Sequence, residues 1–137
     1  MIVDANIVVK WFVAEADSEA ALAVRLQGEL FAPDIMLIEY RNALLNKVRR
    51  HAISPNEARR AEREINGVGI TIIPSAPLLS DAFQLALDLR EPIYDCIYLA
   101  AAISGDQIFV TADERFAAKV QRSPGADRIK LLADLRT

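Results

Sequence analysis

Tyr94-Asp95-Cys96-Ile97-Tyr98-Leu99-Ala100-Ala101-Ala102-Ile103-Ser104-Gly105, followed by Asp106-Gln107-Ile108-Phe109-Val110-Thr111, decides the fold. The first nine residues carry one charge, Asp95. A helix-like run apolar on all sides belongs in an interior, and Gly105 stops it. The β-branched and aromatic residues that follow read as a strand over Gln107–Thr111. A buried helix leading into a buried strand is half of a crossover unit, so the rest of the chain is searched for more of the same.

It supplies them on both sides. Ile2-Val3 is a strand stub ending at Asp4. Residues 6–13 and 17–28 read as helices, the second closed by Gly28. Leu30-Phe31-Ala32 is a short strand that Pro33 stops. A helix runs from about Asp34 to Arg50, with Leu37, Ile38, Leu44, Leu45 and Val48 apolar. Ser54-Pro55-Asn56-Glu57 is a capping box with Pro at the first helical position, so another helix starts there and ends near Gly67. Ile70–Ile73 is a strand stopped by Pro74, and residues 78–90 are amphipathic helix. After the quoted segment come a helix over Glu114–Gln121 and a last strand over Ile129–Leu132.

Strands separated by helices imply crossovers and a mainly parallel sheet. Ile70–Ile73 and Ile108–Val110 are apolar on both faces, as strands covered by helices on both sides would be. The expectation is a three-layer α/β/α domain over residues 1–137, with its site beyond the carboxyl ends of the strands.

At 137 residues, 53% hydrophobic and 26% charged, the chain can bury a real core. One cysteine, Cys96, excludes a disulfide framework and predicts a reducing compartment. It reads as a small core residue, as Trp11 and Phe12 read as core aromatics. The start Met1-Ile2-Val3-Asp4 has no targeting character, and no apolar run is long enough to span a bilayer, so the reading is soluble and cytoplasmic. The net charge of −3 argues against a strongly basic nucleic-acid binder. Its distribution is uneven, however. Arg41–Arg63 holds seven basic residues (Arg41, Lys47, Arg49, Arg50, Arg59, Arg60, Arg63) against Glu57 and Glu62, a local +5 that leaves −8 elsewhere. Such a face grips phosphates, or is simply a solvated helix face.

Four acids do not look like surface acids. Asp4 and Asp113 follow strands, Glu39 lies in the apolar Ile35–Tyr40 stretch, and Asp95 opens the quoted run. If the first strand neighbours Phe109–Thr111, Asp4 and Asp113 face one crevice, into which Glu39 and Asp95 can point. Four carboxylates do not share a small site as bare anions. A hard divalent cation resolves the conflict, and Mg²⁺ takes oxygen ligands from one or two carboxylates, water and substrate phosphate. Zinc fits poorly, with one Cys and one His in the chain. Phosphate-cradling glycine loops are absent. Simpler readings stand beside these. Asp4, Asp95 and Asp113 also occupy places where Asp caps helices, and Glu39 can pair with a base such as Arg41. Asn6 opens a helix, or orients Asp4 or a metal-bound water; Thr111 is a strand residue, or a hydroxyl serving Asp113.

Asp4-Ala5-Asn6, Glu39 with Asn42-Ala43-Leu44, Tyr94-Asp95-Cys96-Ile97-Tyr98-Leu99-Ala100, and Thr111-Ala112-Asp113 with Phe116 together resemble the PIN-domain nucleases. Within them the chain is similar to the VapC-type toxins of toxin–antitoxin pairs. The resemblance covers nearly the whole chain and implies a five-stranded parallel sheet between helices. It implies Mg²⁺- or Mn²⁺-dependent ribonuclease activity on tRNA or rRNA, with Asp4, Glu39, Asp95 and Asp113 as catalytic metal ligands. It also implies a homodimer and inhibition by a cognate antitoxin. Arg41, Lys47, Arg49 and Arg50 would then hold RNA. One departure is Asn6, where the family often has Ser or Thr; Asn still donates and accepts, which predicts a site altered in detail. Two other readings compete. A phosphatase built on the first-strand Asp needs a second Asp where Asn6 stands. A non-catalytic RNA- or protein-binding module on the same fold would have no need to retain four mutually repelling acids.

Overall fold

The computed structural model describes residues 1–135. Its strands are β1 (Ile2–Val3), β2 (Phe31–Pro33), β3 (Thr71–Ile73), β4 (Phe109–Thr111) and β5 (Ile129–Leu131). They form one sheet in the order β3-β2-β1-β4-β5, and every neighbouring pair is parallel. Among the described residues seven α-helices accompany them: α1 (Ala5–Phe12), α2 (Ser18–Arg25), α3 (Ile35–Arg49), α4 (Pro55–Glu64), α5 (Leu79–Leu89), α6 (Ile93–Ser104) and α7 (Glu114–Gln121). This is the expected three-layer α/β/α arrangement. From β1 the chain builds outward on one side through β2 and β3, then returns to build the other side through β4 and β5. The order therefore reverses between β1 and β4, where open α/β sheets form a crevice at their carboxyl edge.

The quoted segment behaves as read. Seven consecutive residues of α6, Cys96–Ala102, are buried, and the helix lies against β1, β2 and β4. Both residues of the two-residue β1 are fully enclosed. The capping box also forms: Ser54 Oγ accepts from the Glu57 N–H at 3.1 Å, and Glu57 accepts from the Ser54 N–H at 3.2 Å. Tyr40, fully buried in α3, donates to the Ala61 carbonyl of α4 at 2.7 Å and fastens that helix pair. Trp11 does the same for α1 and α2 through the Ala21 carbonyl, also at 2.7 Å.

Two expectations are corrected. Ile70–Ile73 does not run between covering helices on both faces. It supplies β3, the sheet's edge, with Thr71 and Ile72 exposed. β-Branched side chains favour extended backbone with or without cover, and a three-residue edge is short enough to resist stray pairing. Pro33 does not stop its strand ahead of itself but is the last residue of β2. The missing N–H is passed over, and Asp34 donates to the Ile73 carbonyl at 2.8 Å instead.

Candidate metal and nuclease site

The crevice at the β1/β4 switch collects the acids. Asp4 directly follows β1, Thr111 ends β4, and α3 and α6 begin at the same edge. Asp4, Glu39 and Asp95 line one cavity of about 210 Å³, together with Asn6, Asn42, Asn46 and Tyr98. Asp113 stands just outside that lining, close enough for its charge to act on Asp95.

Each carboxylate is held differently. Asp4 is 5% exposed. One of its oxygens accepts from the Ile7 N–H at 2.9 Å, capping α1. The other takes a long bond, 3.4 Å, from the Thr111 hydroxyl, which itself accepts from the Asp113 N–H at 3.1 Å. Asp113 caps α7 through the Phe116 N–H at 2.9 Å. Glu39 accepts from the Tyr98 hydroxyl at 2.5 Å. Asp95 sits in the first turn of α6, where the helix dipole favours an anion. It is not the cap, since Pro92 holds that place, and among the described residues no side chain or N–H donates to it. So the capping reading holds for Asp4 and Asp113 without removing them from the site, and fails for Asp95.

The electrostatics follow from this crowding. Burial raises the Asp4 carboxyl to about 7, and the charges of Asp95 and Glu39 add to the rise against the Ile7 and Thr111 hydrogen bonds. Burial also raises Asp95 to about 6, helped by Asp113, Glu39 and Glu91, while Arg115 opposes. Arg115 is itself paired with Glu91 at 2.8 Å. Burial and the charge on Glu39 hold the Tyr98 phenol far above its usual value, so it is the donor of their bond. The Cys96 thiol is pushed up to about 11, chiefly by burial, which keeps it protonated and fits its core role.

Among the described residues no three acidic, His or Cys side chains are drawn together tightly enough to form a finished ion cage. The donor set instead fits a hard cation that takes one or two carboxylates and fills its remaining positions with water. The chemistry of the set carries that fit: all-oxygen donors, two of which resist ionisation because they are buried and face other acids.

The basic residues divide. α3 turns Glu39, Asn42, Ala43 and Asn46 toward the acidic cavity. Its other side, with Arg41, Leu44, Leu45 and Val48, faces an apolar groove against Pro55 and Ala58 of α4. Arg41 is there engaged with Glu62 at 3.1 Å and the Leu37 carbonyl at 2.8 Å. Lys47 is largely enclosed and paired with Glu15, which also holds Lys10. Arg49 and Arg50 lie further along, at the end of α3, and Arg49 donates to Asn46 at the cavity wall, at 3.3 Å. Asn6 is exposed on the cavity rim beside Asp4. Sequence reasoning did not single out Tyr98 or Asn46. A tyrosine in an apolar helix reads as core, and an Asn among charges reads as surface.

Solved structures with the same architecture are found across most of the chain. PAE2754 from Pyrobaculum aerophilum superposes with a TM-score of 0.72 at 20% identity, covering 98% of this chain and 90% of that one. A toxin–antitoxin complex from Klebsiella pneumoniae gives 0.66 at 17% identity, with 96% of each chain covered. The Mycobacterium tuberculosis toxin VapC20, described as cleaving the sarcin–ricin loop, gives 0.65 at 18% identity, covering 85% and 92%. At such identities the likeness establishes the fold. No curated protein sequence matches the chain. The family model of the PIN domain matches residues 1–121. With that match over most of its length, the chain belongs to the PIN-domain family.

Proposed function

We propose that the chain is a Mg²⁺- or Mn²⁺-dependent endoribonuclease of the VapC toxin type. The observation that carries this reading is the convergence of Asp4, Glu39 and Asp95 on one cavity, with Asp113 beside it and no enclosed counter-cation among the described side chains lining it. Of Asp4, Glu39, Asp95 and Asp113, one or two would ligate the ion directly and the others would act through its waters. When bound, it supplies Lewis-acid activation of water and of the phosphodiester.

The chain's own residues do the rest. Asp4 and Asp113 each accept a helix-cap bond on one carboxylate oxygen, which holds their side-chain rotamers relative to α1 and α7. Thr111 ties those two positions together. Asn6 lies where it can orient Asp4 or a water beside it. Arg49 and Arg50 attract the RNA backbone from outside the acidic cavity, whereas Arg41 and Lys47 are offset by Glu62 and Glu15 and reach RNA only if those pairs open. One neighbour of the same fold is described as a toxin and another as a toxin–antitoxin complex, which supports a cognate antitoxin as inhibitor. A second copy of the chain as partner is supported by α5, where Leu79, Phe83 and Leu87 are exposed along one helical stripe.

The test is to incubate the purified chain with total RNA and with DNA, in Mg²⁺, in Mn²⁺ and in EDTA. Discrete RNA fragments that need the metal are expected. Folded chain free of any partner that cuts no RNA in either metal would overturn the reading in favour of a non-catalytic binding module.

A further inference from the structure

We propose that Tyr98 is a positioning residue for Glu39: its phenol fixes one carboxylate oxygen so that the other is offered to a divalent cation. The inference rests on the cation-site reading above and adds a residue to it. Tyr98 and Glu39 lie 59 residues apart in the chain, on α6 and α3, and meet at 2.5 Å on the cavity wall. Among the described residues no other side chain donates to Glu39. The phenol cannot swing away. Its residue is 1% exposed, and the ring stacks on Phe109 of β4 with centroids 5.5 Å apart and planes 13° from parallel.

A glutamate has three side-chain torsions, and freezing them on binding costs free energy. The Tyr98 bond freezes them beforehand, through a residue locked in the core. Tyr98 also lies one helical turn after Asp95, so α6 carries one acid of the site and the donor that orients another. Partners that orient metal ligands act in this way in other sites, and their loss typically costs about 10–100-fold in metal affinity.

Mn²⁺ binding to the purified chain, read by electron paramagnetic resonance without substrate, tests this with Tyr98→Phe, Glu39→Gln and the double variant. The Phe ring keeps the stacking on Phe109. Y98F is expected to remain folded and to bind Mn²⁺ about tenfold or more weakly. In the Glu39→Gln background the same change is expected to add little. Unchanged affinity in Y98F overturns the proposal, as does an equal loss in both backgrounds, which would mean that Tyr98 acts elsewhere than through Glu39. Should Y98F not fold, Glu39→Asp reads the bond from its other end. Its shorter side chain cannot reach both phenol and ion, so retained Mn²⁺ affinity there also overturns the proposal. An unmutated chain that binds no Mn²⁺ removes the cation site itself, an outcome distinct from the failure of Tyr98 alone.

Discussion

Asp4 is nearly sealed at the end of the central strand, with two acids facing it. Its carboxyl titrates near 7 in the folded chain against an ordinary value of 3.8. The folded state therefore holds that proton more tightly than the unfolded chain does. The stability this gives is complete below about pH 4 and is lost as pH rises through about 7. Asp4→Asn keeps the α1 cap, since Asn caps as well as Asp, and removes the titration. In EDTA, the Asn variant is expected to gain on the unmutated chain between pH 5 and pH 8, measured as urea midpoints. A constant difference across that range would contradict it. Asp4→Ala also loses the cap and is expected to cost about 0.5–2 kcal/mol at pH 5. The four acids were legible in the sequence because each interrupts an apolar stretch or ends a strand, where an uncompensated charge is costly. Tyr98 was not, because its meaning lies in a contact across 59 residues that no local pattern encodes.

Among the elements, α6 carries the most weight. It is apolar on every side because it crosses β1, β2 and β4 under α5, and that same placement brings Asp95 to the crevice. Leu99, fully buried at its centre, is expected to cost about 2–5 kcal/mol when changed to Ala, read from denaturant unfolding. Since the backbone of Asp95 moves with the helix, RNA cleavage should fall as well. α5 presents the opposite case, a helix with an exposed apolar stripe. Phe83→Glu is expected to shift the chain from dimer to monomer in sedimentation while leaving its circular dichroism unchanged; a monomeric unmutated chain would contradict the dimer. The elements themselves were readable from capping residues, Gly and Pro stops and β-branched runs. Cover was not. Ile70–Ile73 and Ile108–Val110 look alike as strings, yet one is the edge and the other the interior, because strand order depends on the crossovers rather than on the strands.

On the scale of the molecule, charge is divided between an acidic cavity and a basic helical segment that shares α3 with it. In the proposed reaction RNA is attracted by the arginines at the end of α3 and cut where the acids hold a cation. Replacing Arg49 and Arg50 with Ala is expected to weaken RNA binding most at low salt. It should also lower the salt dependence of log K by about 0.7 for each phosphate no longer neutralised. An unchanged salt slope would place the RNA elsewhere on the surface. The sheet order explains why three acids scattered from residue 4 to residue 95 line one cavity with Asp113 beside it: β1 and β4 are neighbours, and the helices beginning at their carboxyl edge bring Glu39 and Asp95 to the same place. The residues out of place were visible one by one in the sequence, and only the topology showed that they were out of place together. The most direct test of that meeting is the single-turnover rate of RNA cleavage in Mn²⁺ by Asp95→Asn beside the unmutated chain. A fall of about 100-fold or more, with the fold intact, is the result expected if Asp95 stabilises the reacting centre through the bound ion. Equal rates would mean that Asp95 is no part of the site and that the acids do not meet there to hold one ion.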